Sequence, residues 1–263
     1  MKLHFLGTGG YQPNERRHTA CLMIPEVGLV LDAGTGAFRI PSLLQTRELD
    51  IYLTHAHLDH IVGLTYLLVP LIDGRLDRAR VFGTRRVLDA IRTHLFSEPV
   101  FPVFPDNMEL IDIEKQKNLD VGGRVTIEHK SLPSHPGGSR AYRVSWKKGR
   151  GSRSFAYVTD TSVDGSYNKF IDKVPLLIHE CYFGDDKANI ALRTGHSTTS
   201  QVATLARTIC AKRLLLVHVD PCSDSDDPIG IQNAIDHFPN SQIATDLLEI
   251  DLNSKDWTNS STM

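Results

Sequence analysis

The sequence predicts an α/β sandwich with two β-sheets at its centre and helices outside. Three observations carry that expectation. Strand-like segments follow one another in hairpin-like succession through the first two thirds of the chain. Helical patterns punctuate them at intervals instead of alternating one for one, which argues against a uniform βαβ series. And 263 residues, 41% of them hydrophobic, suffice to close one sizeable core without requiring a second.

The elements follow in chain order. Short apolar runs bounded by turn residues predict strands over 2–6, 20–24, 28–31, 50–54, 108–113, 125–131, 141–146, 154–159, 174–179, 213–218 and 242–252. Apolar residues at helical spacing predict helices over 59–72, 84–96, 197–211 and 229–238, with Ser197 and Thr198 as caps of the third. Segment 97–107 sets Pro99, Pro102 and Pro105 among Phe101 and Phe104, just after Phe96. It is read as a rigid extended loop whose aromatics either anchor it to the body or touch substrate. One domain is expected over 1–252 and a polar, frayed tail over 253–263.

Composition narrows the function classes. Lys and Arg number 29 against 31 Asp and Glu, a formal net charge of −2, which argues against bulk binding of a polyanion while leaving room for a local phosphate site. Cys21, Cys181, Cys210 and Cys222 form no CxxC pair, no apolar run is long enough to span a bilayer, and the first residues lead straight into a strand without a signal peptide. A cytoplasmic protein with no membrane contact is expected. Glycines 7, 9 and 10 miss the G-x-G-x-x-G spacing, so no dinucleotide site is indicated. What stands out is 12 His, the commonest metal ligand among side chains.

Their placement is decisive at Thr54-His55-Ala56-His57-Leu58-Asp59-His60, which follows a predicted strand and opens a predicted helix. His55 and His57, two apart in an extended stretch, can point to one side, while Asp59 and His60 in the first helical turn can face a second point nearby. One metal could not comfortably use all four; two could. Imidazoles and carboxylates suit Zn²⁺, with Mn²⁺ or Fe²⁺ as alternatives. Further along, His135, Asp160 and His218 each stand at or beside the end of an apolar strand.

This order of motifs resembles that of the metallo-β-lactamase fold superfamily, which implies a four-layer αββα sandwich. By that resemblance His55, His57 and His135 hold one metal, Asp59, His60 and His218 the other, and Asp160 bridges them; a metal-bridging hydroxide is then the expected nucleophile. Within the superfamily the ribonuclease Z branch is most similar, over nearly the whole chain. The likeness is carried by Leu6-Gly7-Thr8-Gly9-Gly10, by Leu31-Asp32-Ala33-Gly34, by His179-Glu180-Cys181-Tyr182-Phe183 with Cys-Tyr where Ala-Thr is usual, by His196-Ser197-Thr198, and by the closing 243–250 segment. A homodimer is implied by the family alone.

His196 stands just before a predicted helix, where it can help hold an anionic oxygen or donate a proton to a departing one. The resemblance implies that Glu180 orients it; a strand-end Glu can also support a metal ligand. His179 remains open between a structural and a functional role. Asp59, His196 and Glu180 are thus the candidate catalytic residues, Asp59 being also a ligand. Bacterial members of the branch usually insert a long basic arm between the third ligand motif and the bridging Asp. Here only 25 positions separate His135 from Asp160, enough for one hairpin.

That hairpin carries Arg140, Arg143, Lys147, Lys148, Arg150 and Arg153 with no acid among them. Such a run is either a solvated face or a source of phosphate contacts, and Arg140 and Arg143, nearest His135, are the candidate substrate-binding residues. Arg16, Arg17 and His18 are comparable. His94, His129 and His237 are read as structural or solvent-facing, and Asp224, Asp226 and Asp227 as a solvated acidic turn.

The function expected from these residues is a dinuclear metal-dependent phosphodiesterase acting on a small or cyclic phosphodiester or on an RNA 3′ end. The missing arm and the charge favour the compact substrate; the His-Glu and His-Ser-Thr motifs favour RNA. The alternatives are a carboxyl-ester, lactone or thioester hydrolase of the same fold, against which His196 argues, and a non-catalytic scaffold.

Overall fold

The computed structural model describes residues 1–116, 119–149, 151–223 and 225–254; Arg150, Asp224 and the tail from 255 lie outside the described residues. The first sheet contains β1 (Lys2–Gly7), β2 (Cys21–Ile24), β3 (Leu29–Leu31), β4 (Glu48–Tyr52), β5 (Arg78–Gly83) and β6 (Met108–Asp112). The second contains β7 (Asp120–Val121), β8 (Val125–Leu132), β9 (Ser139–Lys148), β10 (Gly151–Val158), β11 (Leu176–Glu180), β12 (Arg213–Val217) and β13 (Ser241–Ile243). The chain then returns to the first sheet as β14 (Glu249–Asp251), giving the orders β14-β1-β2-β3-β4-β5-β6 and β13-β12-β11-β10-β9-β8-β7. Each sheet is antiparallel at one end and parallel at the other, the change falling at β3 in the first and β10 in the second.

Strand alternation builds the layers. Phe5, Tyr52, Tyr142, Phe155, Tyr157, Ile178 and Leu215 point between the sheets and form one apolar core. Their strand neighbours Ile51 and Val81 meet Leu64, Leu67 and Ile91 on the outer face of the first sheet. Ala156, Leu177 and Leu216 meet Val202, Leu205 and Ala234 on the outer face of the second. The helical segments are α1 (Ile40–Leu43), α2 (Leu58–Ile61), α3 (Leu68–Ile72), α4 (Arg85–Ala90), α5 (Ala188–Thr194), α6 (Thr199–Thr208) and α7 (Ile231–His237). The result is the expected four-layer αββα sandwich. Among the described residues no helix is long and apolar enough to cross a membrane.

Besides the short elements α1, β7 and α5, which the sequence pattern does not predict, three segments differ from expectation. The helix read over 59–72 is broken into α2, a 3-10 stretch over Val62–Leu67, and α3. Gly63 is the cause at its start: a Cβ there would come within 2.3 Å of the Gly34 carbonyl oxygen, and its N–H donates to Ala33 O. Strand β5 was not anticipated because Arg78 and Arg80 interrupt its apolar residues; both are answered across the strand pair by Glu48 (2.9 Å) and Asp50 (2.8 Å). The single strand read over 242–252 is two strands in different sheets. Between them the Asp246 carboxylate accepts from Thr8 N, Thr8 Oγ1 and His18 N and pairs with Arg39, so the segment bends to meet them. In segment 97–107, Phe101 and Phe104 pack edge-on against Phe96, so these aromatics anchor the loop to the body.

Gly195 ends α5 with φ of 73°, in the left-handed conformation that favours glycine at a helix C-terminus, and a Cβ on it would lie 2.3 Å from Ser134 O and 2.6 Å from His135 Cα. Gly195→Ala is therefore expected to cost about 2–3 kcal/mol of stability and to displace the His135 loop. Chemical unfolding of the two proteins checks this; an unchanged midpoint would mean that the loop yields freely.

Candidate metal centre

The loops that follow β4, β8, β10, β11 and β12 open at one edge of the sandwich, and the ligand-type residues lie there. His55, His57 and His135 bring donor atoms within 4.8 Å of one another, and so do Asp59, His60 and His218. Asp160 lies between the two groups. Its Oδ1 is 3.9 Å from His55 Nε2 and 3.7 Å from His135 Nε2, while its Oδ2 is 3.1 Å from His60 Nε2 and 3.4 Å from His218 Nε2. Within the groups, His57 Nδ1 stands 3.3 Å from His135 Nε2, and His60 Nε2 stands 3.2 Å from His218 Nε2. Zinc–nitrogen bonds of about 2.0–2.1 Å at tetrahedral angles put neighbouring donors roughly 3.3 Å apart, so both clusters have the dimensions that a divalent cation requires.

The imidazoles are held from behind. The fully buried Asp32 accepts from Thr54 N and Thr54 Oγ1 and from Tyr157 OH, and its Oδ2 is 2.9 Å from His60 Nδ1. A carboxylate can only accept, so the His60 proton sits on Nδ1 and the Nε2 lone pair faces the cluster. Thr54 Oγ1 also lies 3.1 Å from His55 Nδ1, which leaves His55 Nε2 buried without a hydrogen-bond partner and aimed at Asp160. An orphaned imidazole nitrogen at the centre of a donor cluster fits a metal ligand. Asp32 was seen in sequence only as part of a strand-end motif; its role was missed because its partners Thr54 and Tyr157 come from other strands.

Electrostatics divide the site: three imidazoles are held neutral, whereas the carboxylates around His60 favour a positive charge on its ring, a charge that a cation at the cluster would replace. Burial would push the His60 imidazole down, but Asp59, Asp160 and Asp32 surround it and hold it well above its ordinary value. Burial dominates at His55, His57 and His135, which it pushes down toward the neutral, ligand-competent form. Burial opposes ionisation of Asp59 and Asp160, yet the imidazoles around them keep both carboxyls below the usual range. Asp160 and His218 adopt φ of 51° and 54°, and Asp32 57°, each in the left-handed region at the end of a strand.

His196 stands beside these clusters, its ring 4.8 Å from that of His135. Its Nδ1 is 2.9 Å from Glu180 Oε1. Glu180 is fully buried and also accepts from the backbone N–H groups of Thr161, Tyr182 and Ser197. Burial lowers the His196 pKa, and the adjoining Glu180 carboxylate more than offsets it, so that it is pushed up to about 9. Ser197 precedes the α6 N-cap Thr198, which forms a capping box with Gln201. His179, one residue before Glu180, turns away: its Nδ1 is 2.7 Å from Glu180 O and its Nε2 2.8 Å from Tyr167 OH, all inside the core.

The basic residues are largely committed elsewhere. Arg140 is buried against His129 and pairs with Glu114 at 3.0 Å, although its edge lines a cavity of about 250 Å³ behind His55 and His57. Arg143 lies on the opposite face of β9 and donates to Phe170 O at 3.2 Å. Arg16 pairs with Asp226, and Arg17 donates to Thr8 Oγ1 and Ala244 O. The mouth over the clusters is a cavity of about 690 Å³ lined by Tyr11, Leu58, Tyr182 and His196 together with the ligand-type residues.

The model of the beta-lactamase superfamily domain matches residues 29–219. A ribonuclease Z of Methanococcus aeolicus is 25% identical over 97% of this chain and 99% of its own length, in an alignment of 324 positions, so that protein carries segments with no counterpart here. Among solved structures, the metallo-beta-lactamase fold protein YhfI from Bacillus subtilis superposes with a TM-score of 0.76 at 21% identity, covering 94% of this chain and 98% of that one. Human tRNase Z, short form, gives a TM-score of 0.70 at 25% identity, covering 96% and 99%.

Two outcomes follow from the residues behind the clusters. Asp32→Ala frees His60 Nδ1 and is expected to weaken metal affinity roughly 10–100-fold in a competition titration with a chelator; unchanged affinity would show that His60 needs no such support. Burial pushes the His179 imidazole down, so below pH 6.5 the unfolded chain takes up a proton that the folded one refuses. Its stability is thus full above that pH and lost as pH falls towards the folded value. His179→Gln is expected to make the pH dependence of urea unfolding shallower in that window by up to about 1.4 kcal/mol per pH unit; parallel slopes would mean that the folded imidazole takes the proton.

Proposed function

The chain belongs to the beta-lactamase superfamily, and from that membership we propose a metal-dependent hydrolase of phosphodiester bonds that uses two divalent cations, zinc first among them. The observation that carries this reading is the division of Asp160, one oxygen toward each histidine cluster, beside an acid that neither cluster consumes. In this reading His55, His57 and His135 hold one cation, Asp59, His60 and His218 the other, and Asp160 both. The same donors accommodate Mn²⁺ or Fe²⁺. Two such cations, when bound, clamp phosphoryl oxygens and bring the acidity of water into the neutral range.

The chain's own residues supply the rest. His196 keeps its Nδ1 proton on Glu180 and presents Nε2 as the proton donor to the leaving oxygen; with a pKa near 9 it is protonated at neutral pH. Glu180, fixed by three backbone N–H groups, sets the tautomer and the angle of that ring. Tyr182 lies nearly parallel to His196 at 4.8 Å and covers one face of it from solvent. Asp59 joins the catalytic set because its Oδ2 also accepts the backbone N–H of Tyr11 and so ties the entrance loop to the cluster.

Full-length likeness to proteins named ribonuclease Z and tRNase Z supports an RNA 3′ end as substrate. The β9–β10 hairpin, which takes up most of the positions between His135 and Asp160, supports a small or cyclic phosphodiester, since no long arm is present there to grip a folded RNA. A cytoplasmic setting belongs to the same reading, and free cysteines at 21, 181, 210 and 222 fit it. So does a homodimer, on family likeness.

Metal analysis of the purified protein is expected to return about two equivalents, and well under one would end this reading. Bis(p-nitrophenyl) phosphate is expected to be turned over in preference to a lactone or a thioester. His196→Ala is expected to lower kcat on the diester by about 10²-fold or more with metal content unchanged; an undiminished rate would remove His196 from the mechanism.

A further inference from the structure

The mouth of the site combines imidazoles and carboxylates with a few apolar and aromatic side chains. There Tyr11 and Leu58 stand 69% and 68% exposed on the same lip, an apolar edge beside a cluster of imidazoles and carboxylates. Tyr11 is unusual in its backbone as well. Its φ of 58° lies in the left-handed region, which a bulky side chain rarely adopts and which surrounding contacts must enforce.

Those contacts are present. The Tyr11 N–H donates to Asp59 Oδ2 at 2.8 Å, the Gln12 N–H to Gly10 O at 2.7 Å and the Gly10 N–H to Val219 O at 3.2 Å. The effect is to fix the backbone at Tyr11 beside the second cluster, with the side chain lining the mouth. Among the described residues the Tyr11 ring makes no ring–ring or cation contact and its hydroxyl no hydrogen bond.

Tyr182 shows what an engaged aromatic looks like at the same mouth. One face lies on His196, and a Cβ added to Gly10 would come within 2.9 Å of its ring, so that side is covered too. Tyr11 instead offers an exposed aromatic ring on a backbone anchored to Asp59, at the mouth of the candidate cation-binding centre. A ligand that matches has an anionic group at one end and a flat, apolar, polarisable group at the other.

Resting on the phosphodiesterase reading, we propose that Tyr11 is a stacking platform for a nucleobase, so that the diester accepted here is a nucleotide one. Leu58 supplies apolar contact at the base edge, and Asp59 links the platform to the cluster through the Tyr11 N–H. The chemistry that distinguishes this substrate from a sugar or alkyl diester is the π-face of the base.

The test compares a 2′,3′-cyclic nucleotide with 1-O-methylribose 2,3-cyclic phosphate, which lacks the base. Tyr11→Asn removes the ring while keeping the N–H to Asp59 and a residue that tolerates the left-handed backbone. Its kcat/KM for the nucleotide, relative to that for the base-free compound, is expected to fall about tenfold, mainly through KM, and Tyr11→Phe is expected to preserve the wild-type ratio. A ratio unchanged in Tyr11→Asn, or lost equally in Tyr11→Phe, would overturn the proposal.

Calorimetric binding of AMP and ribose 5-phosphate gives a readout that does not depend on turnover. AMP is expected to bind about tenfold more tightly, with the preference lost in Tyr11→Asn; equal binding of the two by the wild type overturns the platform. If the wild type cleaves neither cyclic phosphate, nor bis(p-nitrophenyl) phosphate, nor an RNA 3′ end, yet prefers AMP through Tyr11, the platform stands and the diesterase reading falls.

Discussion

The structure depends on the direction of lone pairs. Five imidazoles and two carboxylates converge on one edge of the sandwich, and a cation can bind there only through nitrogens that face inward without a proton, each remaining proton being held on the far side of its ring. Asp32 does this for His60, Thr54 for His55 and, in the acid pair beside them, Glu180 for His196. Asp32 is also where the two sheets meet in polar contact, since Tyr157 reaches it from β10 while its own strand, β3, belongs to the first sheet. A group that fixes one imidazole tautomer therefore also registers one sheet against the other.

The fold delivers these side chains by a repeated device. Apolar strands run to the edge, and the chain then turns sharply through a left-handed residue that is itself polar: Asp32 after β3, Asp160 after β10, His218 after β12. Short polar side chains and His tolerate that conformation better than β-branched or bulky ones. Asp160 and His218 thus stand at the ends of β10 and β12, two strands separated by β11, and reach the same small volume, 3.4 Å apart. Rigid strands set the spacing, and the turn sets the aim.

Much of this was legible in the sequence, for a physical reason. Ligand-type residues at the ends of apolar runs break the local pattern, and His55, His57, Asp59 and His60 do so within six positions of one another. Their convergence with His135, Asp160 and His218 was legible only through likeness, because no local spacing encodes which strands are neighbours. Asp32 is illegible as a support because its partners lie far away in sequence: Thr54 in the loop after β4, His60 in α2 and Tyr157 on β10. The β5 strand hid behind Arg78 and Arg80, whose countercharges sit thirty residues earlier on β4. The closing segment reads as one strand because apolar residues recur along its whole length; Asp246, satisfied by Thr8, His18 and Arg39, which lie far earlier in the chain, explains why it divides.

That division has a consequence for the order in which the protein comes into being. Strand β1 pairs on one side with β14, which is made about 250 positions later, in the register Lys2 to Asp251. The loop bearing Tyr11 is tied down through Thr8 and His18 to Asp246, more than two hundred residues later. At typical rates of synthesis of about 5–20 residues per second, the entrance loop waits on the order of ten seconds or more for its anchor. Sheet cores and the His55–His60 turn can assemble in that interval from segments already made. The lip over the mouth cannot: it is tied in place only once the segment carrying Asp246 has been made.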